Sequence, residues 1–142
     1  MITNKIIEWK TEYEVGNYDI DAEHRIFINI IRKISNAYYN QSDTQTLDDL
    51  VHELIKYTEF HFCSEENLMK AIDYPDFNNH RQIHSNLLLK LKDEINIVMA
   101  KHINFDILID FLVDWFIKHT TMEDQKLANY ITQIHVDKAL NN

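Results

Sequence analysis

Apolar residues recur at spacings of three and four along most of the chain, the signature of amphipathic helices. His24, Phe27, Ile28, Ile31, Ile34 and Tyr38 make one such stripe. They predict a helix that starts near Asp19–Asp21, where an aspartate can cap the free N–H groups, and runs to about Tyr39. Leu47, Val51, Leu54, Thr58, His61, Glu65 and Leu68 predict a second helix from about Gln45 to Ala71. Phe77, His80, His84, Leu87, Leu91, Ile95 and Val98 predict a third, from about Asp76 to Lys101. Leu108, Leu112, Trp115, Phe116 and His119 predict a fourth from about Phe105, and Leu127, Tyr130, Ile131 and Ile134 continue or follow it.

The connections are short. Asn40–Thr44 is polar, with Ser42, Asp43 or Thr44 as the next cap, and Pro75 suits a turn that opens a new helix. His102–Asn104 forms the last loop. Short links make successive helices antiparallel neighbours. The predicted fold is all-α, an up-down-up-down four-helix bundle over about 19–124 in a single domain, 1–142. An N-terminal arm (1–18) precedes it, with Trp9, Tyr13 and Tyr18 available to pack and Gly16 at a turn. A short C-terminal helical segment (125–142) follows.

Composition supports this reading and removes several classes of function. The 142 residues are 45% hydrophobic and include one Gly and one Pro, which favours a helical chain with a real core. The net charge of −9 argues against nucleic acid or an anionic membrane surface as partner. No apolar run approaches the ~20 residues of a membrane span. The N-terminus lacks a signal-peptide core, and the lone Cys63 fits a reducing compartment. The expectation is a cytoplasmic monomer.

Histidine changes the picture, because each apolar stripe carries at least one. His24 lies on the first, His61 and Glu65 on the second, His80 and His84 on the third, and His119 on the fourth, with Asp124 five residues on. In an antiparallel bundle the start of helix one, the end of helix two, the start of helix three and the end of helix four share one level. Any one of these groups alone is ordinarily a hydrogen-bonded core residue or a solvated one. Together they form an inward cluster that an apolar core holds only with compensation, since a buried ionised carboxylate costs several kcal/mol. Metal cations supply it. Seven donors exceed one tetrahedral zinc site and suit two octahedral ions sharing carboxylates, and mixed imidazole and carboxylate donors suit iron.

One spacing is awkward. On an ideal α-helix Asp124 falls about 140° from His119. For both to point inward the helix must end or widen near Thr120–Glu123, and a single π-type turn would serve. Glu66 is read as solvated, Cys63 as turned away, and His52, His102 and His135 as surface residues.

These residues resemble the hemerythrin family, particularly its single-domain bacterial members. The resemblance runs over nearly the whole chain: Trp9, Tyr13-Glu14-Val15-Gly16, Ile20-Asp21-Ala22-Glu23-His24, His61-Phe62 with Glu65-Glu66 and Met69, Tyr74-Pro75, His80 with His84, and Trp115, His119 and Asp124. It implies that His80, His84 and His119 hold one iron and His24 and His61 the other. Glu65, Asp124 and an oxo or hydroxo group would bridge the two ions (Fe2+/Fe3+). It implies that oxygen is bound reversibly at the iron with two histidines, in an apolar pocket of Trp115, Phe116, Phe27 and Ile28, for storage, delivery or supply, without catalysis. Thr120 departs from the family pattern, which commonly has Ile there. A sensor of oxygen, redox state or iron acting through a separate partner is one alternative. A ferritin-like oxidase or peroxidase is another, although those sites are carboxylate-rich and use Glu-x-x-His motifs.

Overall fold

Helix α1 (Tyr18–Tyr39) begins where the Asn17 side chain accepts a hydrogen bond from the Ile20 N–H at 3.0 Å. The expected start at Asp19–Asp21 is therefore late by one to three residues, and the cap is Asn17. Asp21 caps the arm instead: its carboxylate accepts from the Val15 N–H at 2.8 Å and the Gly16 N–H at 3.2 Å. Gly16 sits at φ 91°, a left-handed conformation that glycine adopts without steric cost. The computed structural model describes residues 7–101 and 104–141.

Helix α2 (Thr44–Ala71) starts at Asp43, which accepts from the Thr46 N–H at 2.8 Å. Helix α3 covers Phe77–Lys101. Helix α4 (Phe105–His119) is capped by Asn104, which accepts from the Asp106 N–H at 2.9 Å. The preceding 102–103 of the expected last loop lie outside the described residues. The chain then passes without a break through a π-helical turn, Thr120–Asp124, into α5 (Gln125–Leu140). The expected C-terminal segment is thus the second half of one long helix.

α1 packs on α2 and α4, and α3 packs on α2 and α4, as expected of an up-down-up-down bundle. Ile31, Ile34, Leu54, Leu91, Leu108 and Leu112 are fully buried in the main core. Burial of each such side chain contributes about 1.5–3 kcal/mol. A second, smaller cluster joins Val15, Ile20, Met69, Tyr74, Leu127, Ala128 and Ile131 beneath the arm. Met69 takes the buried position and Leu68 is only half-buried. On the arm, a short 3-10 turn (Thr11–Tyr13) buries Tyr13 edge-on to Trp9 and to Phe116. Tyr18, expected to pack, is 86% exposed, because the first turn of α1 points it to solvent.

Candidate metal centre

The two apolar clusters leave between them a layer of polar side chains contributed by all four long helices. α1 supplies His24, α2 His61 and Glu65, α3 His80 and His84, and α4 with its π turn His119 and Asp124. None is more than 8% exposed. Their donor atoms fall into two groups. Glu65, His80, His84, His119 and Asp124 form one, and His24, His61, Glu65 and Asp124 the other; within each, the donor atoms all lie within 4.8 Å of one another.

Glu65 and Asp124 belong to both groups, and each divides its two oxygens between them. Asp124 Oδ2 lies 2.9 Å from His24 Nε2, while its Oδ1 lies 3.1 Å from His119 Nε2 and 3.2 Å from His80 Nε2. Glu65 Oε2 lies 3.2 Å from His61 Nε2, while its Oε1 lies 2.8 Å from His80 Nε2 and 3.2 Å from His84 Nε2. The Nε2 atoms of all five histidines and all four oxygens of Glu65 and Asp124 are buried without a directed hydrogen bond. Buried polar atoms are nearly always partnered. Nine unpartnered atoms converging in one layer fit cations that their lone pairs share, so the donor set suits a two-metal centre.

The π turn is what brings Asp124 in. An α-helical register would swing it about 140° from His119. The wider turn of Thr120–Asp124 returns it to the inner face, in line with the frequency of such turns at functional sites.

Two carboxylates that the spacing alone does not single out stand behind the ring. Glu23 Oε1 is 2.9 Å from His61 Nδ1, and Glu66 Oε2 is 3.0 Å from His84 Nδ1. Each fixes the ring's tautomer and orientation and leaves Nε2 free for the layer. Glu66 is thus not simply solvated. Glu23 lies beside His24 in sequence yet serves His61 on the neighbouring helix, so its only signal is tertiary. Tyr57 supports the same corner by donating to the Glu23 carbonyl at 2.6 Å.

The electrostatics of the layer are lopsided when protons are its only cations. Burial alone would depress the His61 imidazole, but the Glu23 and Glu65 carboxylates outweigh it and push the pKa up to about 10. His80 is likewise depressed by burial and raised by Asp124 and Glu65, to about 9. Burial and mutual repulsion oppose ionisation of Glu65 and Asp124, yet the surrounding imidazoles hold both well below the usual carboxylate range. The layer is a trap for positive charge.

Next to it lies a small cavity walled by His24, Phe27, His61, Phe62, Trp115, Phe116, His119, Thr120 and Asp124, with about 10 Å³ for the centre of a water-sized sphere. That is room for one water-sized molecule. Of the four expected pocket residues, Phe27, Trp115 and Phe116 line it. Ile28 is buried but lies about 100° round α1 from Phe27 and packs in the main core. Phe62 and Thr120 take part instead. Phe62 stacks on the His84 ring, centroids 3.9 Å apart and planes 6° apart. Cys63, one residue on, is exposed, as are His52 and His135; His102 lies outside the described residues. Among the described residues no helix is long and apolar enough to cross a membrane.

The chain has relatives among known proteins. The model of the hemerythrin HHE cation-binding domain matches residues 15–131. The chain is 32% identical over 126 residues to a bacteriohemerythrin of Clostridium acetobutylicum, covering 83% of this chain and 95% of that protein. It is 33% identical over 118 residues to a bacteriohemerythrin of Campylobacter jejuni, covering 82% and 88%. It is 29% identical over 125 residues to a myohemerythrin of Theromyzon tessulatum, covering 84% and 88%.

Proposed function

We infer the function from one premise: this chain belongs to the hemerythrin family. It binds molecular oxygen reversibly at a non-haem di-iron centre. The observation that carries this reading is the convergence of the nine buried, unpartnered donor atoms beside a cavity for one small molecule.

In this reading His80, His84 and His119 would hold one iron, and His24 and His61 would hold the other. Glu65 and Asp124 would serve both irons, which is supported by the way each turns one oxygen toward either group. Bound there, the iron pair supplies electrons that oxygen takes up and returns. The protein does the rest. Glu23 and Glu66 orient the His61 and His84 rings through Nδ1. Phe27, Phe62, Trp115 and Phe116 exclude water from the cavity. Both histidines of the two-histidine group, His24 and His61, line that cavity, together with His119 and Asp124, so a small ligand would enter beside the residues that would hold the less fully ligated iron.

The role is oxygen storage, delivery or supply by a single-domain monomer in the cytoplasm, without catalysis. The five imidazoles in the donor set support binding over oxygen activation. The lone exposed Cys63 suits a reducing compartment.

Metal analysis joined to visible spectroscopy tests the reading. Purified protein should carry two irons per chain. Its charge-transfer band should appear in air and vanish on deoxygenation over repeated cycles. A well-folded chain without metal would overturn the metal centre. Iron that passes once to a stable oxidised form would overturn reversible binding and favour an oxidase or a redox sensor.

A further inference from the structure

Thr120 is the one hydroxyl-bearing residue in the cavity wall. It is 1% exposed, and it occupies the first position of the π turn. Three other helical threonines of this chain spend their hydroxyls on their own backbone. Thr58 donates to the Leu54 carbonyl at 2.8 Å, Thr121 to the Ile117 carbonyl at 2.7 Å, and Thr132 to the Ala128 carbonyl at 3.1 Å. Thr120 forms no such bond among the described residues, although its backbone N–H is shared between the Ile117 and Phe116 carbonyls. Its hydroxyl oxygen is not among the side-chain atoms sealed off without a partner, so it keeps a trace of accessible surface beside the cavity the residue lines, where a hydroxyl gains by finding a partner. The neighbouring wall is aromatic, with Phe27, Phe62 and Phe116 offering no acceptor oxygen or nitrogen. The other polar atoms of the wall are the Trp115 Nε1–H, a donor that is itself buried without a partner, and those of the side chains that would hold the metals. What can accept from Thr120 is therefore the small molecule that enters the cavity.

We propose that the Thr120 hydroxyl donates a hydrogen bond to the small ligand held in this cavity, and so sets how long the ligand is retained. The proposal rests on the oxygen-binding reading above. It assigns this chain a polar contact in a pocket whose other non-ligand walls are aromatic. Helical register is the structural reason: Thr120 lies one turn beyond Phe116 on the same face of the helix.

The test compares Thr120→Val, which keeps the shape and loses the hydroxyl, with Thr120→Ser, which keeps the hydroxyl, in iron-loaded protein. Two readouts are used: the oxygen release rate after mixing with dithionite, and azide binding to the oxidised protein, followed by affinity and by the infrared stretch of azide in H2O and D2O. Thr120→Val should release oxygen about 2- to 10-fold faster, the span of an ordinary neutral hydrogen bond, and should weaken azide similarly. The D2O shift of the azide band should be present in wild type and Thr120→Ser and absent in Thr120→Val. Equal release rates and an unchanged D2O shift in Thr120→Val overturn the proposal. So does a Thr120→Ser protein as fast as Thr120→Val, which would assign the effect to the methyl group. If Thr120→Val does not load iron, Thr120→Ala takes its place against Thr120→Ser, and equality of those two overturns it. A wild type that loads no iron, or never releases oxygen, fails the parent reading instead, a different outcome.

Discussion

Asp124 Oδ1 stands 3.1 Å from His119 Nε2 across five residues of one helix. An α-helix does not allow this, and the π turn does. The relationship makes Asp124 the hinge between both donor groups, since its other oxygen faces His24. Asp124→Asn keeps the volume and removes the charge that two cations would share in the proposed centre. We expect iron per chain to fall from two to one or fewer while circular dichroism stays helical. Metal analysis of the purified variant decides it: two retained irons would show that Asp124 does not bridge.

Glu23 and Glu66 act on the centre through His61 and His84. Glu23→Gln and Glu66→Gln keep an acceptor for each Nδ1–H but lose the charge that strengthens it. Removing such support typically costs about 10- to 100-fold in metal affinity. Each variant should lose iron to a competing chelator faster than wild type, with little change in helix content. Loss at the wild-type rate in both would assign these carboxylates to the surface.

The histidine shifts set a pH dependence with a definite sign. His61 and His80 rise from 6.5 to about 10 and about 9. Their contribution to the stability of metal-stripped protein is full below pH 6.5 and is lost as pH rises through 9 to 10. Glu65 and Asp124 are depressed, so their contribution is present above the ordinary carboxylate range and is lost as pH falls through their lowered values. Metal needs neutral imidazoles and releases their protons on binding. Urea melts should therefore show stripped protein weakening between pH 7 and 10 while loaded protein holds. A parallel decline of the two forms contradicts this.

Removing the metal leaves nine converging donor atoms with nothing to bind but one another and protons. A ligand present at a thousandfold excess over its dissociation constant stabilises by about 4 kcal/mol. In a chain of this length each kcal/mol moves the melting point by roughly 2–4 °C. Chelation should lower the midpoint by about 10 °C, reversed on adding iron under nitrogen. Calorimetry with and without chelator checks it, and an unmoved midpoint would mean the fold does not use the metals.

Gly16 offers a prediction far from the chemistry. A Cβ there would meet nothing within 4 Å, so Gly16→Ala costs only backbone strain at φ 91°. A loss of about 1 kcal/mol follows, with iron content unchanged. A denaturant melt showing no loss would mean that the arm relaxes its turn freely.

Much of this protein is legible in its sequence because one helical period governs both burial and ligation. The stripes that place Ile31 and Leu54 in the core also carry His24 and His61 about two turns away and Glu65 about three turns away. Short loops then bring the four stripes to one level. Even the break in α-helical register is readable, since His119 and Asp124 cannot otherwise face the same way. The sequence by itself thus determines the helices, their order and the inward donor set. Only the tertiary structure decides what depends on rotation between helices. It gives Glu23 to His61 on the neighbouring helix, links Glu66 to His84, leaves Tyr18 in solvent, and selects Phe62 and Thr120 over Ile28 for the cavity. A side chain's bearing on its own helix is local. Which neighbour it meets depends on how two helices are turned against each other, and the packing of the whole interior sets that angle.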